Sequence, residues 1–320
     1  MCNFKKIAES MKIVFLDRYT VANVDTSVFG LLGEYSEYDY TYPDQLIDRC
    51  KGADVVITNK VYFGEDEMKQ LPDLRLICIA ATGMNNVDLE AAKEHNIAVK
   101  NVVNYSTSSV AEHTFALLLE LYKAIPHYDA YVKDGSYSKS GRFFYPGPVF
   151  HEIHGKKWGI IGMGNIGKKV AAIATAFGAE VVYYSTSGRN MDAGYPAIAL
   201  DELMSTCDII TIHAPLNDAT RNLIDLKALN LMKPTAYIIN VGRGGIVDEA
   251  ALATVLNNDA IAGAALDVYS EEPLSADSPL LKLNNPDKIV LTPHIAWASY
   301  EARNALVQKI VVNIKETFNV

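Results

Sequence analysis

The stretch Lys157 to Gly167, KWGIIGMGNIG, constrains this chain more than any other. A short apolar run, Trp158 to Ile161, leads into Gly162-Met163-Gly164-Asn165-Ile166-Gly167. The run reads as a strand and the segment after it as a helix. Each glycine of a G-x-G-x-x-G at such a junction has its own use. Gly162 permits a tight turn, Gly164 lets a pyrophosphate approach the backbone, and Gly167 lets the helix lie close to the strand. The helix N-terminus then offers free N–H groups and a positive dipole end to the phosphates. A glycine-rich turn alone is a weak signal, and the alternative is a structural turn in another α/β protein. The strand-turn-helix context favours a dinucleotide.

The chain has 320 residues, which points to about two domains. At 49% hydrophobic and 21% charged it reads as globular. Its formal net charge is -9, from 29 basic and 38 acidic residues. An acidic chain without Lys/Arg blocks argues against nucleic acid or an anionic membrane as partner. No apolar run reaches the ~18 residues of a membrane span. The first ten residues, MCNFKKIAES, have no apolar core of a secretory signal and read as an extension without a fold role. Cys2, Cys50, Cys78 and Cys207 form no CxxC pair, so reduced thiols in a cytoplasmic protein are expected, with no metal site. Cys78 and Cys207 adjoin apolar runs and read as core residues.

Residues 12–16 (KIVFL), Asp54 to Thr58, Leu76 to Ala80 and Ile97 to Val99 read as strands with helical or polar segments between them. Such alternation argues for a parallel sheet covered on both faces. Ser109-Val110-Ala111-Glu112 fits a capping box and predicts a helix start there. Residues 134–150, rich in Gly, Pro, Ser and aromatics, read as a long connection or arm, which either meets a partner or packs on itself. After the glycine-rich loop come strands at Glu180 to Tyr184, Asp208 to Ile212, Ala236 to Val241, Ile261 to Leu266 and Lys288 to Leu291, with Asp248 capping a helix from Glu249. Counting the first, that is six strands, the number in a doubly wound dinucleotide domain. A helical pattern over Ser299 to Phe318 follows. If it returns to the first unit, the dinucleotide domain is inserted into that unit and two crossing segments form a hinge.

Open α/β sheets bind ligands at the carboxyl ends of their strands. Three loops there carry unusual chemistry: Gly242-Arg243-Gly244-Gly245, Ser270-Glu271-Glu272-Pro273, and His294 after Thr292-Pro293. Glycines around Arg243 let its backbone and side chain approach a ligand. Spacing alone does not choose between Glu271 and Glu272. Of the seven histidines, His294 is the candidate for proton chemistry, and His213 lines the adenosine side. His95, His113, His127, His151 and His154 read as helix, loop or packing residues.

The chain resembles the D-isomer-specific 2-hydroxyacid dehydrogenases, in particular the glycerate dehydrogenase (hydroxypyruvate reductase) branch. The resemblance spans nearly all of residues 11–320. It rests on ATGMNNVD (81–88), SSVAEHTFALLL (108–119), GIIGMGNIG (159–167), HAPLNDATRNLI (213–224), NVGRGGIVDE (240–249), LDVYSEEPL (266–274) and TPHIAW (292–297). It implies an α/β protein of two domains, a Rossmann-type doubly wound parallel sheet inserted into a flavodoxin-like α/β substrate domain. The substrate domain would be 11–103 with 297–320, and the dinucleotide domain 104–296. The implied reaction is reduction of a small 2-keto acid, such as hydroxypyruvate or glyoxylate, to the D-2-hydroxy acid, and the reverse. By resemblance Arg243 holds the substrate carboxylate, His294 exchanges the proton, and Glu272 pairs with His294. Thr82 and Gly83 offer backbone N–H groups to the carboxylate. Asn240 and Asp267 lie near the nicotinamide, with Asp267 the carboxamide partner. Thr107, Asn165, Ile166, Ala214, Pro215, Asn222, Val241 and Gly242 complete the implied cofactor contacts.

One position departs from NAD-preferring members, which end the second strand of this domain with an acidic residue that binds the ribose hydroxyls. Here Ser185, Thr186, Ser187 and Arg189 follow Val181-Val182-Tyr183-Tyr184. Hydroxyls and an arginine suit a 2′-phosphate, while serine also serves NAD, so NAD and NADP both stand. Formate dehydrogenases resemble this family but carry Gln where Glu272 stands. Phosphonate dehydrogenases share the Arg, Glu and His, and a non-catalytic NAD(H)-sensing scaffold is a third alternative. Tyr105, the arm from Tyr137 to Tyr145 and Trp297 are candidates for shaping the substrate side-chain pocket. The family implies a homodimer through the cofactor domain.

Overall fold

The computed structural model describes residues 11–189 and 194–320, so the N-terminal extension with Cys2 lies outside the described residues. The described residues form two compact units: those up to Ser106 together with Ala298–Val320, and Thr107–Trp297. The second is therefore inserted in the sequence of the first.

The first unit is built on a five-stranded sheet: β1 (Lys12–Phe15), β2 (Glu34–Glu37), β3 (Val55–Thr58), β4 (Leu76–Ile79) and β5 (Ala98–Lys100). The order is β2-β1-β3-β4-β5, and every pairing is parallel. That is the flavodoxin-like order. β3 and β4 are buried along their whole length because helices cover both faces. One face, with Val14, Val56, Ile77 and Ile79, packs with Leu46, Met68 and Ala91 of three short helices. The C-terminal helix Tyr300–Phe318 packs on β4 and buries Leu306, Ile310, Val311 and Ile314. Lys309 Nζ donates to the Val103 carbonyl (2.7 Å) and Asn313 Nδ2 to that of Asn101 (3.1 Å), tying this helix to the chain after β5.

β2 has no counterpart in the hydropathy pattern. Its sequence, Glu-Tyr-Ser-Glu, has no buried residue, because it is an edge strand with charges at both ends. Backbone pairing with β1 makes it a strand, and Gly33 admits the approach, since a Cβ there would lie 2.1 Å from the Met11 carbonyl oxygen.

The second unit holds β6 (Lys157–Ile161), β7 (Glu180–Tyr184), β8 (Ile209–Ile212), β9 (Tyr237–Asn240), β10 (Gly263–Leu266) and β11 (Ile289–Leu291). Their order is β11-β10-β9-β8-β6-β7, again all parallel. An isolated parallel bridge from Tyr183 to Ala197 extends the β7 edge. Counting that bridge as a reduced third strand gives the 3-2-1-4-5-6 order of a dinucleotide fold, with one strand more. Alternate residues serve the two faces. Trp158, Ile160, Ile209 and Ile239 pack with helices Thr107–Lys123 and Asn165–Ala176, while Ile161, Ile210, Ile212 and Ile238 pack with Leu203, Leu229 and Leu252.

Two local expectations change. The helix begins at Thr107, two residues before Ser109, and Ser109 Oγ donates to the Ala296 carbonyl (2.6 Å). The capping-box pattern was thus formed by residues already inside the helix, with the serine committed to a tertiary contact. The stretch 134–150 is not all irregular, since Ser136–Ser140 is helical. Its remainder is partly self-packed, with Tyr145 stacked on Tyr131 at 4.0 Å and Tyr128 Oη donating to the Pro148 carbonyl. Phe143 and Val149 remain 88% and 85% exposed. Asp248 caps Glu249–Asn257 as the sequence suggests, accepting from Ala250 N and Ala251 N. Cys50, Cys78 and Cys207 are buried free thiols, and burial pushes the first two up to about 12 and the third to about 11. Among the described residues no helix is long and apolar enough to cross a membrane.

Trp158 is fully buried, and its indole N–H donates to Thr211 Oγ1 at 3.1 Å. Trp158→Ala is expected to cost about 3–5 kcal/mol of stability. Thr211→Val, which only orphans the indole N–H, is expected to cost about 1–3 kcal/mol. Urea unfolding of the two variants, followed by circular dichroism, measures both.

Candidate active site

Parallel strands end together, so the loops after β6 to β11 gather at one edge of the second sheet. After β6, Gly162 adopts φ +95, and a Cβ there would lie 2.9 Å from Ala214 N. A Cβ on Gly167 would lie 2.3 Å from the Gly162 carbonyl oxygen, which is why the helix can start so close to the strand. Gly164 differs: nothing lies within 4 Å of its Cβ position, and it is the N-cap of helix Asn165–Ala176. Two glycines are required by packing and the third leaves open space at a helix N-terminus. That arrangement suits a pyrophosphate. Asn165 and Ile166 form the first turn of this helix.

After β7, Ser185 and Thr186 are partly exposed, and Arg189 is exposed. After β8 come His213, Ala214 and Pro215, with Ala214 buried against Gly162. His213 is partly exposed as a residue, yet both ring nitrogens are enclosed and have no hydrogen-bond partner. Enclosure of the ring lowers its pKa to about 3. A neutral imidazole with an orphaned donor and acceptor fits a site completed by a ligand.

After β9, Gly242 N donates to Asn240 Oδ1 (3.0 Å) and Asn240 Nδ2 to the Arg243 carbonyl (2.9 Å). Buried Asn240 thus closes the turn that carries Arg243. Arg243 is partly exposed, and its Nη1 donates to the Gly242 carbonyl at 2.7 Å. A Cβ on Gly244 would lie 1.7 Å from the Tyr269 carbonyl oxygen, so only glycine lets this loop lie against the loop after β10. Asn222, at φ +50, donates its N–H to the Gly245 carbonyl and ties its own loop to the same place. Val241 is buried beneath it.

The loops after β10 and β11 meet most closely. Glu272 Oε2 lies 2.7 Å from His294 Nδ1, and Glu272 Oε1 accepts from Tyr269 N. Of the two glutamates that spacing could not separate, Glu272 is the one paired with histidine. An ionised carboxylate only accepts, so His294 Nδ1 carries the proton of this bond and Nε2 is left for exchange. Buried Asp267 accepts from Thr292 Oγ1 (2.6 Å), Ile295 N (2.8 Å) and Ala296 N (2.8 Å). Its carboxylate is therefore engaged in holding the loop that carries His294. His294 itself adopts φ +56, a left-handed conformation uncommon outside glycine.

Thr82 and Gly83 sit in the first unit, after β4, where Thr82 Oγ1 donates to the Val102 carbonyl and Asn101 Nδ2 to that of Thr82. Thr107 is the first residue of the helix that opens the second unit. Sequence reasoning missed Thr292, and it placed His113 on a helix without its tertiary partner, Thr292 Oγ1, 3.1 Å from His113 Nε2. The signal was present: Ser109 and His113, one turn apart, are polar positions flanking the buried stripe of Val110 and Thr114.

A family model described as D-isomer specific 2-hydroxyacid dehydrogenase, NAD binding domain, matches residues 115–296. The chain is 39% identical over 307 residues to a glycerate dehydrogenase of Methylorubrum extorquens, covering 95% of each chain. It is 37% identical over 316 residues to a hydroxypyruvate reductase of Blautia hydrogenotrophica, covering 96% of each. A solved acyclic imino acid reductase in complex with NADPH and D-Arg superposes with a TM-score of 0.84 at 32% identity, over 97% of both chains. With its nucleotide loop, its Arg, Glu and His at one sheet edge, and these relatives along nearly its whole length, the chain belongs to the D-isomer specific 2-hydroxyacid dehydrogenase family and is an oxidoreductase that uses NAD or NADP.

Proposed function

We propose that this enzyme reduces a small 2-keto acid of the hydroxypyruvate or glyoxylate type to its D-2-hydroxy acid, and catalyses the reverse. The observation that carries this reading is the 2.7 Å contact between His294 Nδ1 and Glu272 Oε2 at the carboxyl ends of β10 and β11. Glu272 orients the ring, so Nε2 of His294 gives a proton to the keto oxygen in reduction and takes it back in oxidation. Arg243 holds the carboxylate of the substrate, for which its planar fork is suited, and polarises the keto oxygen. Thr82 and Gly83 add backbone N–H groups to that carboxylate. When bound, the nicotinamide supplies the hydride that goes to C2 of the keto acid.

The loop of Gly162, Gly164 and Gly167 holds the pyrophosphate, with Asn165, Ile166, His213, Ala214, Pro215, Asn222, Val241, Gly242 and Thr107 around the rest of the cofactor. Ser185, Thr186 and Arg189 offer no carboxylate to repel a 2′-phosphate, and NADPH is bound by the imino acid reductase relative. NADP(H) is accordingly accepted beside NAD(H). Exposed Phe143, Phe144, Val149 and Phe150 on the arm support a homodimer formed through the second unit. Among the described residues, the buried free thiols of Cys50, Cys78 and Cys207 agree with a cytoplasmic protein.

A panel of 2-keto acids assayed with NADH and with NADPH tests the reading. Turnover of hydroxypyruvate or glyoxylate with both cofactors is expected. No turnover of any 2-keto acid refutes the function, and strong NADH preference refutes the phosphate site. His294→Ala is expected to lower kcat by about 10²–10⁴-fold, the usual share of general acid catalysis. Stability should also report His213. Its folded pKa, about 3, is below the ordinary 6.5, so its contribution is present above 6.5 and lost as pH falls toward 3. Between pH 7 and 5 the cofactor-free protein should lose about 1–2 kcal/mol more than His213→Leu, as read by urea unfolding.

A further inference from the structure

The geometry points to His113 as a positioning residue that holds the proton-exchanging His294 in place through Thr292 and Asp267. This rests on the role proposed above for His294. His113 lies on helix Thr107–Lys123, one turn after Ser109, so both face the same way. Ser109 Oγ donates to the Ala296 carbonyl at 2.6 Å, and His113 Nε2 is 3.1 Å from Thr292 Oγ1. Residues 292 and 296 bracket His294.

Proton counting gives the direction of each bond. A threonine hydroxyl has one hydrogen. At 2.6 Å from Asp267 Oδ1, Thr292 Oγ1 donates that hydrogen to the carboxylate. It can then only accept from His113, so Nε2 of His113 carries a proton and donates. The same Nε2 lies 3.6 Å from Asp267 Oδ1, adding a positive hydrogen near the buried carboxylate. Asp267 takes its remaining donors from the backbone of Ile295 and Ala296. Tyr269 Oη donates to the Thr292 carbonyl at 2.8 Å, and His294 N donates to that same carbonyl at 3.0 Å. These hydrogen bonds together fix the residues on either side of His294, and they over-determine its φ of +56. His113 and Ser109 are the members that come from a distant helix, and His113 is the one that reaches the Thr292–Asp267 pair. It links the helix to the loop through Thr292, while the proton-exchanging pair is His294 with Glu272.

The test compares His113→Leu with His113→Gln, whose amide Nε2 can restore the donor to Thr292. For His113→Leu, kcat for a keto acid that the parent protein reduces should fall roughly 10- to 100-fold, the scale of a small misplacement of a reacting group. The dissociation constant of the reduced cofactor, measured by its fluorescence in the absence of substrate, should change less than 2-fold, on the order of the error of such a fit. Amide hydrogen exchange over residues 292–297, read by mass spectrometry, should quicken in His113→Leu and return toward the parent rate in His113→Gln, together with kcat. This exchange readout needs no turnover, so it separates a failure of the positioning role from a failure of the substrate reading. Thr292→Val, which keeps shape and removes the hydroxyl link, should reproduce the loss of kcat and the faster exchange if His113→Leu does not fold. Unchanged kcat and exchange in the folded variants would overturn the inference. So would equal losses in Leu and Gln variants, or a loss of cofactor binding as large as the loss of kcat.

Discussion

Asp267 carries a carboxylate that water does not reach, and a buried carboxylate has to be met by donors. Its donors come from one short stretch: the Thr292 hydroxyl and the backbone N–H groups of Ile295 and Ala296. Satisfying the charge therefore bends residues 292–296 around it and leaves His294 at the crest, in a left-handed conformation. The bend turns the imidazole to Glu272, whose other oxygen is fixed by Tyr269 N. One electrostatic requirement at the end of β10 thus sets the geometry of the His294–Glu272 pair.

The nucleotide side of the second unit rests on close backbone approach instead of charge. Gly162 lies against Ala214, Gly167 against the Gly162 carbonyl, and Gly244 against the Tyr269 carbonyl. At these positions a Cβ would meet backbone, which cannot move aside cheaply. Of the three glycines in the loop after β6, Gly164 is the one that faces open space, and it is the position where a phosphate would have to come nearest. His213 adds two enclosed, unpartnered nitrogens to the same edge. Buried polar atoms left without partners are rare in folded proteins, and a binding site is where they are expected.

Much of this was legible from residue order. Glycine at fixed spacing after an apolar run reports on backbone geometry, and the runs of Val, Ile and Leu report on strands buried on both faces. Most strands of both units followed from these signals, and so did a glutamate pair and His294 at the ends of neighbouring strands. β2 was not legible, because an edge strand with exposed glutamates carries no hydropathy signal and exists only by pairing with β1. The start of helix Thr107–Lys123 was misjudged because Ser109 and Glu112 mimic a cap while Ser109 in fact bonds to Ala296. Local pattern cannot tell a serine that caps its own helix from one that reaches a residue far along the chain.

By itself the sequence determined the parallel α/β architecture, the dinucleotide loop and the residue types available for chemistry, since these depend on periodicity and on glycines that tolerate few substitutes. Only the tertiary structure decided which glutamate faces His294, which donors meet the Asp267 carboxylate, and that His113 and Thr292 belong to the same network. Those outcomes depend on donors and acceptors brought together from positions that spacing does not relate, and a buried charge selects among them by whichever backbone and side-chain groups the fold can deliver.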